Sequence, residues 1–243
     1  MSDFTEIKKI ISDAKRIVFF GGAGVSTESG IPDFRSSSGL YNEPYEFDER
    51  PEVILSAPYF AERPETFYKY YRRHMIYPDA EPNAAHMALA RLEQMGKLTA
   101  VITQNIDGLH QAAGSRNVIE LHGSVQRNYC TLCGEKYSLE YVMESDGVPV
   151  CQSCGAIVRP DIVLYCEGLD NESYNRAEEL IREADVLIVG GTSLTVYPAA
   201  YLVSECKGKF IIINKSHTPY DECADFVIRD SLGNVLSELI EYP

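Results

Sequence analysis

Apolar residues recur along this chain in two rhythms. Phe4, Ile7, Ile10, Ile11 and Ala14 share one face at helical spacing. Continuous apolar runs then occupy residues 16–20, 99–103, 118–121, 186–189 and 210–213. Runs without polar alternation mark strands buried on both faces. Helical stretches lie between them, at 84–95 (with Asn83 to cap it and Gly96 to stop it) and at 172–183. This alternation predicts an α/β fold, a Rossmann-like, doubly wound parallel sheet covered by helices on both sides.

Two stretches break the rhythm. Residues 36–82 are rich in aromatics and proline, with a helical piece around 65–75, and residues 125–158 carry cysteines and short polar turns. Both are expected to be insertions forming a small zinc-binding and helical domain. Residues 1–35, 83–124 and 159–243 are left to the large domain. A ligand cleft is then expected between the two, at the carboxyl ends of the strands.

Within the second insertion, Cys130-x-x-Cys133 and Cys151-x-x-Cys154 are separated by 17 residues, with Gly134 and Gly155 closing each pair. This spacing suits a tetrahedral Zn(II) held by four thiolates; the alternatives are two disulfides or four buried thiols. Four thiolates leave no open coordination position, so the zinc holds structure and the chemistry lies elsewhere. Cys166, Cys206 and Cys223 remain as an odd set without disulfide spacing, which favours a reducing, cytoplasmic setting.

The formal charge of −14 argues against direct contact with nucleic acid, which draws on clustered Lys and Arg, and is compatible with lysine-rich polypeptide partners. No apolar run approaches the length of a membrane span. A monomer without membrane attachment is expected.

Five strand ends carry ligand-type residues. Gly22-Ala23-Gly24 follows the first strand, as in a turn whose backbone approaches a pyrophosphate at the start of a helix. Thr27 replaces the third glycine of a dehydrogenase fingerprint, and no second strand ending in an acidic residue follows about twenty residues on. Thr103-Gln104-Asn105-Ile106-Asp107 ends a second strand, where amide and carboxylate can grip ribose or water, or cap the next helix. His122 ends a third, placed to act as a general base or simply as a structural histidine. Gly190-Gly191-Thr192-Ser193 and Asn214-Lys215 offer further hydroxyl and amide groups. Together they outline one extended dinucleotide site.

In order, GAGVSTESGIPDFR (22–35), TQNID (103–107), His122-Gly123, the four cysteines, GTSLTVYPA (191–199) and Asn214 resemble the sirtuins, the NAD-dependent protein lysine deacylases. The resemblance implies NAD as co-substrate, bound by Gly22, Ala23, Gly24, Thr27, Asp33, Phe34, Arg35, Gln104, Asn105, Ile106, Asp107, His122, Gly191, Thr192, Ser193, Asn214 and Lys215. It implies one structural zinc per chain. An acyl-lysine peptide would be added as a strand along Val163, Leu164, Tyr165 and Glu167 on one side and Leu194 and Val196 on the other. It also implies that His122 is the general base on the ribose hydroxyls and that Asn105 orients water or ribose. Nicotinamide would leave and the acyl group would pass to ADP-ribose, giving O-acetyl-ADP-ribose.

The segment Phe67-Tyr68-Lys69-Tyr70-Tyr71-Arg72-Arg73 puts Tyr71 where succinyl-preferring relatives carry arginine; the other register, Tyr70-x-x-Arg73, is two residues out of step. Asp33 stands where such relatives tend to have threonine, so acetyl is favoured. Tyr165-Cys166-Glu167 replaces the family's Phe-Gly-Glu, which puts a cysteine where glycine would tolerate positive φ. Competing expectations are a mono-ADP-ribosyltransferase, a noncatalytic module that binds NAD or acyl peptide, and a zinc-bearing dehydrogenase.

Overall fold

The computed structural model describes residues 2–36, 39–42, 47 and 49–240. From the N-terminus run α1 (Ser2–Asp13), β1 (Ile17–Gly21), α2 (Pro51–Ile54), α3 (Ala57–Glu62), α4 (Pro64–His74), α5 (Ala84–Gln94), β2 (Leu98–Thr103) and α6 (Leu109–Ala112). There follow β3 (Val118–Glu120), β4 (Gly123–Cys130), β5 (Lys136–Ser138), α7 (Leu139–Glu144), β6 (Val158–Ile162), α8 (Asn171–Glu183), β7 (Val186–Gly190), β8 (Lys209–Ile213), β9 (Phe226–Ile228) and α9 (Leu232–Ile240). Of the 36–82 stretch, residues 37, 38, 43–46 and 48 lie outside the described residues.

Six strands form a parallel sheet in the order β3-β2-β1-β7-β8-β9. The chain steps outward from β1 to β3, then returns to β7 on the other side of β1. That reversal opens a crevice at the carboxyl ends of β1 and β7, where open α/β sheets bind ligands. The two-residue period divides each central strand between two cores. Ile17, Phe19, Val186, Ile188, Ile211 and Ile213 join α1, α5 and α9 in one cluster. Val18, Phe20, Leu187, Val189, Phe210 and Ile212 join α8 and the 3-10 helix Ala199–Glu205 in the other. Both faces are covered, as the unbroken apolar runs predict.

α5 begins as expected: Asn83 Oδ1 accepts from Ala85 N–H at 2.9 Å, and His86 Nδ1 accepts from the Asn83 N–H at 3.2 Å.

A third apolar cluster unites residues 54–76 with 125–164. Phe60, Phe67, Tyr68 and Tyr71 pack ring against ring there, with Phe67 and Tyr71 stacked at 5.6 Å. They lie against an antiparallel sheet ordered β5-β4-β6. Gly123, at the start of β4, joins the two sheets. Its φ is +79°, and a Cβ there would lie 1.9 Å from the Asp161 carbonyl oxygen. Only glycine allows this crossing.

One local expectation is overturned. No α-helix follows the Gly22-Ala23-Gly24 turn; two three-residue 3-10 turns, Ala23–Val25 and Thr27–Ser29, stand in its place. Gly30, left-handed at φ +84°, then turns the chain away and Pro32 follows. Any anion here is met by individual backbone N–H groups and side chains, since turns this short carry no macrodipole of consequence.

Candidate active site

The crevice is a cavity of about 950 Å³ at the carboxyl ends of the parallel strands. Every cofactor-side residue expected from the sequence lines it except Gly22. Gly22 serves packing, since a Cβ there would lie 2.9 Å from Thr192 Cβ. Gly24 donates to the Gly191 carbonyl at 2.8 Å, and a Cβ on Gly191 (φ +60°) would lie 2.4 Å from Val25 N. The turns after β1 and β7 therefore meet backbone to backbone and leave a cradle free of side chains. Thr27, Thr192, Ser193 and Lys215 line the cavity around it, a donor set suited to phosphate and ribose.

Asn105 and Asp107 face this cradle from the end of β2, joined through a residue not singled out from the sequence. Asn105 Nδ2 donates to Ser26 Oγ at 3.0 Å, and Ser26 Oγ donates to Asp107 Oδ2 at 2.6 Å. Ser26 is 1% exposed and Asn105 9%. Buried polar groups must be paired, and this chain pairs all three. A serine in a glycine turn looks generic; its one signal is its place behind the first strand, opposite TQNID. Asp107 also has the capping role considered for it, because its Oδ1 accepts from Leu109 N–H at 2.9 Å.

His122 stands between β3 and β4, and its Nδ1 lies 2.9 Å from the Gln104 carbonyl. A carbonyl can only accept, so Nδ1 carries the proton and Nε2 keeps its lone pair. Burial lowers the His122 pKa below the ordinary 6.5, while the Gln104 hydrogen bond partly opposes the shift. The ring is therefore neutral at pH 7, as a base requires.

Asp33 closes the loop that follows Gly30, on the cofactor side expected from the sequence, its Oδ1 accepting from the N–H groups of Arg35 (3.1 Å) and Ser36 (2.8 Å). The Phe34 ring packs on Tyr41 with centroids 5.5 Å apart, and the Arg35 guanidinium lies over the same tyrosine.

On the other wall, Val163, Leu164, Tyr165, Glu167 and Val196 line the cavity and Leu194 does not. Leu194 has φ +53° and a side chain fully buried in the core beside β7, so it can offer a ligand only backbone. Glu167 is likewise committed, its carboxylate held by Arg159 at 2.8 and 3.0 Å and by Leu164 N–H at 2.8 Å. Cys166 adopts φ +72°, the left-handed conformation anticipated for the family's glycine, and is exposed.

The four zinc-type cysteines form a separate group, their Sγ atoms all within 4.8 Å of one another. Neighbouring sulfurs are 3.4 Å (Cys130 to Cys154) and 3.6 Å (Cys133 to Cys151) apart. That is far beyond a disulfide at about 2.05 Å and close to the ~3.8 Å edge of a tetrahedron with Zn–S near 2.3 Å. Gly134 and Gly155, both at φ +74°, fold each knuckle back on itself. The N–H groups of Leu132 and Cys133 donate to Cys130 Sγ, and the Tyr137 hydroxyl donates to Cys151 Sγ. Such donors stabilise thiolate and orient it toward a metal. The donor set fits zinc and pins β4 to the 151–155 turn, away from the cavity.

A parallel sheet with its cleft at the strand reversal, a cradle for a dinucleotide, a neutral histidine and a four-thiolate knuckle pair define a class of nucleotide-binding, zinc-stabilised α/β proteins. Within that class the chain belongs to the Sir2 family, whose profile matches residues 22–198. It is 57% identical to an NAD-dependent protein deacetylase of Clostridium acetobutylicum, over 99% of both chains. It is 55% identical to one of Clostridium perfringens, over 97% of this chain and 98% of that one. Among solved structures, a Sir2 homologue in complex with ADP ribose superposes with a TM-score of 0.90 at 41% identity, covering 97% of this chain and 94% of the other. A Sir2 with a p53 peptide and NAD+ superposes at 0.87 and 38% identity, covering 98% and 97%.

Proposed function

We propose that this protein is an NAD-dependent protein lysine deacetylase that moves the acetyl group of acetyl-lysine to ADP-ribose and releases nicotinamide and O-acetyl-ADP-ribose. The observation that carries the reading is the disposition of His122. Its neutral ring is held by Gln104, with Nε2 free, in the same cavity as the Asn105–Ser26–Asp107 chain.

NAD supplies an electrophilic ribose carbon and the hydroxyls that receive the acyl group. The protein's part is to bind, orient and move protons. The cradle between the β1 and β7 turns takes the pyrophosphate, and Thr192, Ser193, Asn214 and Lys215 take the adenosine side. Asp107, held by Ser26 and Leu109, faces the nicotinamide carboxamide, and Asn105 orients ribose or water. Phe34 covers the reacting ribose and excludes solvent. His122 Nε2 accepts a proton from a ribose hydroxyl, a role its lowered pKa suits.

The peptide enters between the turn 163–167 and Val196, offering its backbone as an added strand. Acetyl is the favoured acyl group. Tyr71 is 0% exposed, and neither it, Arg72 nor Arg73 lines the cavity, so α4 presents no arginine to a succinyl carboxylate. The Arg72 Nε instead donates to the Val142 carbonyl at 3.0 Å. The enzyme is taken to act as a cytoplasmic monomer on acyl-lysine proteins, without contact with nucleic acid. Among the described residues no helix is long and apolar enough to cross a membrane.

The test is a mass-spectrometric competition with NAD and equimolar acetyl-, succinyl- and butyryl-lysine peptides. Acetyl loss matched by nicotinamide and O-acetyl-ADP-ribose is expected. Preferential succinyl loss would overturn the acyl assignment. ADP-ribosylated protein would favour the transferase, and no NAD consumption would leave a binding module.

A further inference from the structure

We infer that Tyr41 and Tyr165 form a clasp joining the cofactor side of the cavity to its peptide side, so that nucleotide and acyl-lysine peptide tighten one another's binding. The inference rests on the reading of the cavity given above.

The two hydroxyls hydrogen-bond directly across 124 residues of sequence. Tyr41 belongs to the cofactor loop. Its N–H donates to the Phe34 carbonyl at 3.0 Å, Leu40 N–H donates to the Asp33 carbonyl at 2.9 Å, and its ring carries Phe34 on one contact and Arg35 on another. A shift of Tyr41 therefore moves Phe34 and Arg35 with it.

Tyr165 belongs to the peptide turn. Its N–H donates to the Leu55 carbonyl and its carbonyl accepts from Ala57 N–H, both at 3.0 Å, in a parallel bridge to Ser56. Val163, at the start of the same turn, donates to the His122 carbonyl at 3.0 Å. The peptide turn is thus tied to the base on one side and to α3 on the other, and the phenol pair extends that tie to the cofactor loop. Burial, and then the bond to Tyr165, hold the Tyr41 phenol above its ordinary pKa, so Tyr41 keeps its hydroxyl proton across the working range. Tyr165 stands where the family resemblance leads to phenylalanine, which has no hydroxyl to give.

A ligand that orders one loop orders the other through this bond, and the second ligand meets a loop whose ordering cost has already been met. Coupling of this kind is reciprocal. One neutral hydrogen bond sets its size, so a factor of roughly two to ten in affinity is expected.

The experiment uses the full chain, Tyr41→Phe, Tyr165→Phe and the double variant, conservative changes that keep both rings. Calorimetry measures ADP-ribose affinity with and without an acetyl-lysine peptide. Hydrogen exchange of segments 33–41 and 163–167 is followed in parallel without ligand. The parent should bind ADP-ribose roughly two- to tenfold tighter with peptide present. Either single variant should lose that factor, and the double variant should lose no more than a single one. Exchange should rise in both segments in either variant.

Unchanged coupling, or losses that add in the double variant, would overturn the clasp, as would unchanged exchange. Failure of the parent to bind ADP-ribose would instead overturn the reading of the cavity and the coupling with it, while the exchange rates would still report whether the loops are joined.

Discussion

Nδ1 of His122 donates to the carbonyl of Gln104 across 2.9 Å, and that bond decides which ring nitrogen can act as a base. Gln104 is held in turn by its own N–H, which donates to the Gly21 carbonyl at 2.9 Å at the end of β1. The imidazole is therefore aligned by the sheet itself. His122→Ala should lower kcat by about 10²–10⁴-fold, the usual worth of a positioned general base, with little change in melting temperature. Near-parent turnover in the folded variant would remove His122 from the mechanism.

The same residue sets a pH dependence. Burial places its pKa below 6.5. Nε2 must be unprotonated to act, so kcat/KM should be flat above pH 6.5 and fall as pH drops through the depressed value. A pH–rate profile of the parent against a non-titrating neutral substrate checks this. An acidic limb centred above 6.5 would contradict it.

The knuckles make the zinc a folding element. One zinc per chain should be found by elemental analysis, and chelation should release β4, β5 and the 151–155 turn together. Because β4 runs directly on from His122 and Gly123, activity should fall to background in step with loss of metal. Cys130→Ala should do the same. Full activity in metal-free protein would refute the structural role.

Legibility in the sequence followed burial. β1, β7 and β8 are covered on both faces and read as unbroken apolar runs. β9 is an edge strand of three half-exposed or exposed residues paired only with β8, and its Phe-Val-Ile is too short to register. α9 hides behind Gly233, which reads as a turn but lies buried within the helix against Glu28. α2 and α3 each begin with proline in the first turn and are too short for periodicity. In the site, residues with distinctive chemistry at strand ends (His122, Asn105, Asp107) were legible. Ser26 was not, because its role depends on a 2.6 Å contact with a residue 81 positions away. Leu194 misled for the opposite reason: its place in a ligand-type motif hides a left-handed residue turned into the core.

Cys166 holds φ +72° with a Cβ, a conformation that costs an L-residue about 1–2 kcal/mol. Cys166→Gly relieves that cost but adds about 0.4–1 kcal/mol of unfolded-state entropy. The net should be a stabilisation of about 0.5 kcal/mol, read by denaturant unfolding of the two proteins side by side. A clear loss of stability would mean that the thiol makes a contact worth more than the backbone strain.

His86 and His110 bury their rings against each other beneath the active site, with centroids 4.7 Å apart and exposures of 0% and 1%. Burial, and secondarily the neighbouring His86, push the His110 pKa down to about 3, and burial lowers that of His86 as well. In the unfolded chain both titrate near 6.5. Between that value and about 3 the unfolded chain binds the extra proton and the folded one does not, so stability falls as pH falls through this window. Neither ring nitrogen of His110 has a hydrogen-bond partner. His110→Phe keeps the ring volume nearly constant and removes those two orphaned polar atoms. It should gain about 1 kcal/mol at pH 7 and flatten the acid slope. Urea unfolding at a series of pH values from 7 to 4 reads both effects, and an unchanged slope in His110→Phe would assign the acid sensitivity to other groups.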